Sequence, residues 1–296
     1  MIDMHTHLWP AHQSPDYMAD YLKKKKEAGQ EISLTGPGLL RSMDHCQIHR
    51  AVISVLAFDN QMSNPDLAPL HDYVEAQIDQ SQGRLAAFCT VQPFREDTFD
   101  TMTSLLEKPC FRGVKLHPNI QCFYADDQRL YPLYQWLEEH RYPVLFHTGG
   151  IGLNGIRDCY GAPERIDTIA CDFPDLPIIM GHAGRIHYET TAMILRKHPH
   201  VYADISTNFG RLAGQEWRQL FNLMETVKLW CGTTEKLLFG SDYPFYLQDV
   251  TVSHTRRLEE HLGDSPLLTR GDLNGLLHEN AEQFCRKYGI FQDPEP

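Results

Sequence analysis

Asp3, His5 and His7 open the chain, in the stretch Met1-Ile2-Asp3-Met4-His5-Thr6-His7. Alternate residues of a β-strand share a face, so an extended conformation points all three the same way. Two imidazoles spaced by one residue can each turn a nitrogen onto one cation, at about 2.0–2.1 Å for zinc. Read alone, the triplet is equally an ordinary histidine-containing terminus, since short motifs match by chance. Further ligand-type residues recur, however, each at the end of a strand-like run: Lys115 and His117, then His147, His182 and Asp242. Imidazoles with a carboxylate suit zinc, manganese or iron(II). Bringing them together requires a fold in which the ends of distant strands meet.

The elements that would do so are legible. After the opening strand come apolar, β-rich runs at 51–57, 85–91, 112–117, 143–148, 177–182, 201–205 and 236–242, eight strands in all. Near-continuous apolar runs suit strands covered on both faces. Amphipathic stretches near 64–82, 96–107, 127–140, 163–172, 187–198, 215–230 and 273–288 separate them. Asn64-Pro65 reads as an N-cap followed by a first-turn proline, and Gly83 as the stop. Eight alternations of strand and helix make a (β/α)8 TIM barrel, an α/β fold whose strand ends meet at one rim. An open doubly wound sheet fits less well, because no G-x-G-x-x-G follows the first strand. Residues 1–296 read as one domain. Residues 9–38, with the run Lys23 to Lys26 and Thr35-Gly36-Pro37-Gly38, form a long insertion after strand one, placed to act as a partial lid.

Composition excludes other classes. A net charge of −12 disfavours nucleic acid and anionic membrane surfaces as partners. No apolar run approaches a membrane span of about 20 residues, and the opening lacks the basic flank of a secretory signal. The eight cysteines form no C-x-x-C pair, which predicts free thiols and a reducing, cytoplasmic setting. The expected partner is a small-molecule substrate. Homo-oligomerisation is common for such barrels, and no motif here fixes it.

Six motifs in order, I-D-M-H-T-H (2–7), R-G-V-K-L-H-P (112–118), F-H-T-G (146–149), G-H-A-G (181–184), F-G-S-D-Y-P-F (239–245) and E-N-A-E-Q-F (279–284), span almost the whole sequence. Together they resemble the amidohydrolase superfamily, specifically its amidohydrolase-2 branch of metal-dependent barrel hydrolases and decarboxylases. The resemblance implies His5, His7, His147 and Asp242 as ligands of one divalent metal, zinc first, with manganese or iron as alternatives. It implies His182 and Asp242 as the groups that handle protons. Lys115 stands where the two-metal members carry a carboxylated lysine bridging two ions, so a second metal is the alternative stoichiometry. Otherwise Lys115 keeps a free ammonium that holds a substrate anion, or its head snorkels to the rim. PHP-type phosphoesterases and TatD-type nucleases also open on D-x-H-x-H. TatD enzymes place a glutamate where this chain has Lys115, and PHP sites need more ligands than are found here.

Two reactions use these ligands. In hydrolysis of a lactone, amide or related carbonyl, the metal activates a water, Asp242 accepts its proton and His182 stabilises the oxyanion. In the alternative, non-oxidative decarboxylation of an unsaturated or aromatic carboxylate, His182 or Asp242 supplies a proton to carbon. Lys115 favours hydrolysis, because the hydrolytic two-metal members carry it. His117, Arg185 and Tyr243 are the substrate-binding candidates, Arg185 as a bidentate clamp for a carboxylate. Trp9, Asn119, Tyr124, Tyr188 and Phe245 also follow strand ends and could wall a pocket for a flat substrate.

Overall fold

A computed structural model describes residues 1–10, 13–27, 29 and 32–291. Eight strands pair in chain order and all in parallel: β1 (Ile2–Thr6), β2 (Arg50–Ser54), β3 (Leu85–Cys89), β4 (Phe111–Leu116), β5 (Val144–His147), β6 (Ile178–Gly181), β7 (Val201–Asp204) and β8 (Leu237–Leu238). Backbone bonds from Met4 N–H to Phe239 O (2.9 Å), Asp242 N–H to His5 O (2.8 Å) and His7 N–H to Tyr243 O (2.6 Å) join the last strand to the first. The sheet is thus a TIM barrel. Among the described residues, no helix is long and apolar enough to cross a membrane.

The helices are α1 (Asp16–Glu27), α2 (Gly36–Cys46), α3 (Asn64–Asp79), α4 (Thr98–Leu106), α5 (Pro118–Gln121), α6 (Tyr131–Glu139), α7 (Glu164–Asp172), α8 (Tyr188–Lys197), α9 (Arg218–Cys231), α10 (Gln248–Arg257), α11 (Arg270–Asn274) and α12 (Asn280–Tyr288). The N-cap of α3 is Ser63 rather than Asn64, because Ser63 and Asp66 form a capping box. A second capping box, Thr269 with Asp272, starts the last helical segment at Arg270, earlier than 273. Periodicity did not reveal α2, α5 or α10; the first is rich in glycine and the second is one turn long.

Side-chain alternation divides the core. Val52, Ala86, Phe88, Leu145, Ile179 and Leu238 fill the barrel with Ile2 and Met4, and Phe284 and Cys285 of α12 pack against that end. Their neighbours Ile53, Ala87, Val114, Phe146, Met180 and Leu237 pack in the surrounding core instead. Burial on both strand faces is why these runs are apolar throughout.

The insertion is structured where it is described. It carries α1 and the start of α2, and the Tyr21 hydroxyl donates to Pro244 O (3.0 Å) and Phe245 O (2.7 Å). Parts of the expected lid at 11, 12, 28, 30 and 31 lie outside the described residues. All eight cysteines are free.

Candidate active site

The β1 strand does not keep the simple alternation. Its pairing with β2 slips between Asp3 and Thr6, the kind of irregularity that re-aims side chains. Met4 faces the barrel interior, whereas Asp3 accepts hydrogen bonds from Ser241 N–H (2.9 Å), Ser241 Oγ (2.6 Å) and Gln248 Nε2 (2.8 Å). Asp3 therefore does not share the site with His5 and His7. Burial pushes its carboxyl up to about 6, against the hydrogen bonds from Ser241 and Gln248. It ties β1 to the loop that carries Asp242.

The bonds that close the barrel also set Asp242 beside the two histidines. His7 Nε2 lies 3.1 Å from Asp242 Oδ1, and His5 Nε2 lies 3.7 Å from the same oxygen. Each imidazole is anchored through its other nitrogen. His5 Nδ1 donates to Asp204 Oδ2 (2.9 Å) and His7 Nδ1 to the Ser54 carbonyl (2.7 Å). That assigns the proton to Nδ1 and leaves the Nε2 lone pairs facing the cluster. Gly240 makes room: a Cβ there would stand 3.0 Å from His5 Cβ.

His147 and His182 form a second pair. His147 Nδ1 lies 2.9 Å from His182 Nε2, and His182 Nδ1 lies 2.7 Å from Ser206 Oγ, which donates to Asp204 Oδ1. With Asp204 as the terminal acceptor, protons run from His147 through His182 and Ser206 to that carboxylate. His147 Nε2 is then an unprotonated, buried nitrogen without a hydrogen-bond partner. Both nitrogens of His182 are engaged. Among the described residues, the donors whose ligand atoms all lie within 4.8 Å of one another at this mouth are His5, His182 and Asp242, a grouping without His7 or His147. Burial is the main cause that holds the His5, His147 and His182 pKa values well below the ordinary histidine value, so each ring is neutral at pH 7.

Lys115, 1% exposed, does not reach the rim as a snorkelling lysine would. Its Nζ lies 3.2 Å from His5 Nε2, and burial lowers its pKa to about 8. The His117 ring stacks on His147 with centroids 3.9 Å apart, and its Nδ1 accepts the Ile120 N–H at 3.4 Å. That leaves a proton on Nε2. Asp242, His182 and Arg185 hold positive φ angles of 64°, 64° and 56°, a concentration of backbone strain usual at functional sites.

One pocket of about 530 Å³ gathers His5, His7, Lys115, His147, His182 and Asp242, with His117 and Arg185. Ile151 and Leu153, after β5, supply apolar wall, while no described residue of the insertion lines it. Arg185 Nε is buried without a partner. Tyr243 is not in the lining: its hydroxyl donates to Ser33 O at 2.6 Å and fastens the insertion. Trp9 stacks behind His7, and Tyr124 is exposed with its hydroxyl 3.7 Å from Cys159 Sγ. Sequence reading missed Asp204 and Ser206. A carboxylate ending an otherwise apolar strand seven was the available signal for the first.

The family model described as Amidohydrolase (Amidohydro_2) matches residues 2–287. The chain belongs to the amidohydrolase-2 family. A search of curated proteins finds no match. Solved amidohydrolase-like structures resemble it in fold. An uncharacterised TIM-barrel protein from Bordetella bronchiseptica is 20% identical, with 98% of this chain and 100% of that one covered and a TM-score of 0.72. A 2,6-dihydroxybenzoate decarboxylase complexed with 2,6-dihydroxybenzoate is 15% identical, with 97% and 98% covered and a TM-score of 0.69. An amidohydrolase from Burkholderia multivorans with bound zinc is 15% identical, with 98% and 99% covered and a TM-score of 0.69.

Proposed function

We propose that this amidohydrolase is a metal-dependent hydrolase of a carbonyl-type bond, a lactone, amide or related linkage, in a small carboxylated substrate. The observation that carries the reading is the shared tautomer of three histidines. His5, His7 and His147 each commit Nδ1 to an acceptor and leave Nε2 unprotonated; the Nε2 atoms of His5 and His7 lie 3.7 and 3.1 Å from Asp242 Oδ1, that of His5 also faces Lys115 Nζ, and that of His147 has no partner. Neutral imidazoles steered by their outer hydrogen bonds, with one carboxylate, are a donor set for zinc, manganese or iron(II). The orphaned Nε2 of His147 supports the fit, since a buried nitrogen without a partner otherwise costs about 1–3 kcal/mol. The zinc in the Burkholderia relative makes zinc the first candidate.

When bound, a divalent ion supplies Lewis acidity and lowers the pKa of water toward neutrality. Asp242 takes the proton of the attacking water. His182 lines the pocket and holds His147 through Nε2, while Ser206 and Asp204 fix its Nδ1 from behind. His117 presents Nε2–H for the carbonyl oxygen, and Arg185 clamps a substrate carboxylate. Burial of these groups strengthens every charge interaction in the pocket.

Two specific observations favour variants of this reading. Lys115, with Nζ 3.2 Å from His5 Nε2, supports the two-metal variant, in which a carboxylated Lys115 would help to hold a second ion. The decarboxylase relative supports non-oxidative decarboxylation, with Asp242 rather than the doubly hydrogen-bonded His182 protonating carbon as CO2 leaves. A screen of lactones, amides and hydroxybenzoates that records acid release and CO2 release separately tests the reaction. Acid release without CO2 is expected; CO2 release from a hydroxybenzoate overturns hydrolysis.

A further inference from the structure

A second cluster of donors lies away from the catalytic pocket. Asp167 and Cys171 are four residues apart on α7 and so share a helical face. His198 caps the C-terminus of α8, three residues before β7 begins. The cluster therefore sits toward the N-terminal end of the barrel strands, where residues serve stability rather than catalysis. Among the described residues, ligand atoms of these three lie within 4.8 Å of one another.

The cluster already accommodates a cation. Lys197 Nζ lies 2.9 and 3.0 Å from the two Asp167 oxygens and 3.2 Å from Cys171 Sγ. His198 Nε2 lies 2.7 Å from Asp167 Oδ1, so the imidazole is oriented toward the same point. His198 is buried, whereas Cys171 and Lys197 are exposed. An ion can arrive from solvent, and the ammonium can leave without disturbing the core.

We propose that Asp167, Cys171 and His198 form a structural site for a thiophilic divalent ion of the zinc class, with the Lys197 ammonium holding its place. Sulfur, imidazole and carboxylate are all zinc donors, and the thiolate selects against magnesium and calcium. On binding, the Cys171 thiol releases its proton to solvent as the sulfur–metal bond forms. Lys197 swings outward as an intact ammonium, water fills the fourth position, and no electrons are transferred. The ion clips the end of α7 to the end of α8. The site is independent of the pocket, whose lining contains no cysteine.

That absence of sulfur makes cobalt(II) a selective probe. Titrating the metal-loaded enzyme with cobalt(II) is expected to raise a near-ultraviolet sulfur-to-cobalt charge-transfer band that saturates at one equivalent. Cys171→Ser should lack the band while keeping turnover, and Lys197→Met should reach half-saturation at roughly tenfold lower cobalt, because a like charge is removed. A band undiminished in Cys171→Ser overturns the site, as does its absence from both the wild type and Lys197→Met. Unchanged affinity in Lys197→Met overturns the place-holding role.

Discussion

Lys115 Nζ lies 3.2 Å from His5 Nε2, the nitrogen that also faces Asp242 at 3.7 Å. A buried lysine thus abuts the proposed donor set at His5. Lys115→Met keeps the volume and removes the amine. It is expected to retain one equivalent of metal and to lose roughly 100-fold or more in kcat, the usual cost of deleting a charge-stabilising group. Metal analysis and steady-state kinetics on the same preparation check this. A fall from two equivalents to one supports the carboxylated, two-metal form, and unchanged kcat removes Lys115 from the machinery.

Asp204 is expected to act through His5. It accepts from His5 Nδ1 and from Ser206, and touches no substrate-facing atom. Asp204→Asn should weaken metal binding by about 10–100-fold, as loss of an orienting partner does. Competition with a chelator measures it; wild-type affinity in a folded variant contradicts the positioning role.

The barrel and most of the pocket were legible in the sequence because each signal is local. Strand ends follow from apolar runs, and His5, His7, Lys115, His147, His182 and Asp242 all sit at such ends. What local pattern could not show was the slip in β1, which turns Asp3 away toward Ser241 and Gln248. Tyr243 was placed correctly after strand eight, yet its hydroxyl is taken by Ser33, a partner 210 residues away. Asp204 and Ser206 matter only through hydrogen bonds to residues from other strands, which no spacing encodes.

Arg185 should govern binding more than chemistry. Its unpartnered Nε and its place in the pocket lining suit a carboxylate. Arg185→Met is expected to raise KM roughly 10–100-fold for an acid substrate, the range of a charged hydrogen bond, with a smaller change for its methyl ester. Equal effects on acid and ester would contradict a carboxylate clamp.

His71 gives a pH signature away from the site. Its ring is buried between α3 and β3, accepts the Thr90 N–H at 3.1 Å, and burial lowers its pKa to about 4. The unfolded chain takes up a proton near pH 6.5 that the folded chain refuses, so stability is complete above that value. It is lost as pH falls from 6.5 toward 4, by about 3 kcal/mol. Urea unfolding of His71→Gln across that range should show a shallower pH dependence than wild type; parallel curves would contradict it.

The proposed function puts one divalent ion on His5, His7, His147 and Asp242. Anomalous X-ray diffraction at the zinc edge, on crystals of zinc-supplied protein, tests it most directly. The expected map shows a peak about 2.0–2.2 Å from the three Nε2 atoms and an Asp242 oxygen. No peak in the barrel mouth, or one ligated by His182 with His147 left out, would overturn this ligand set.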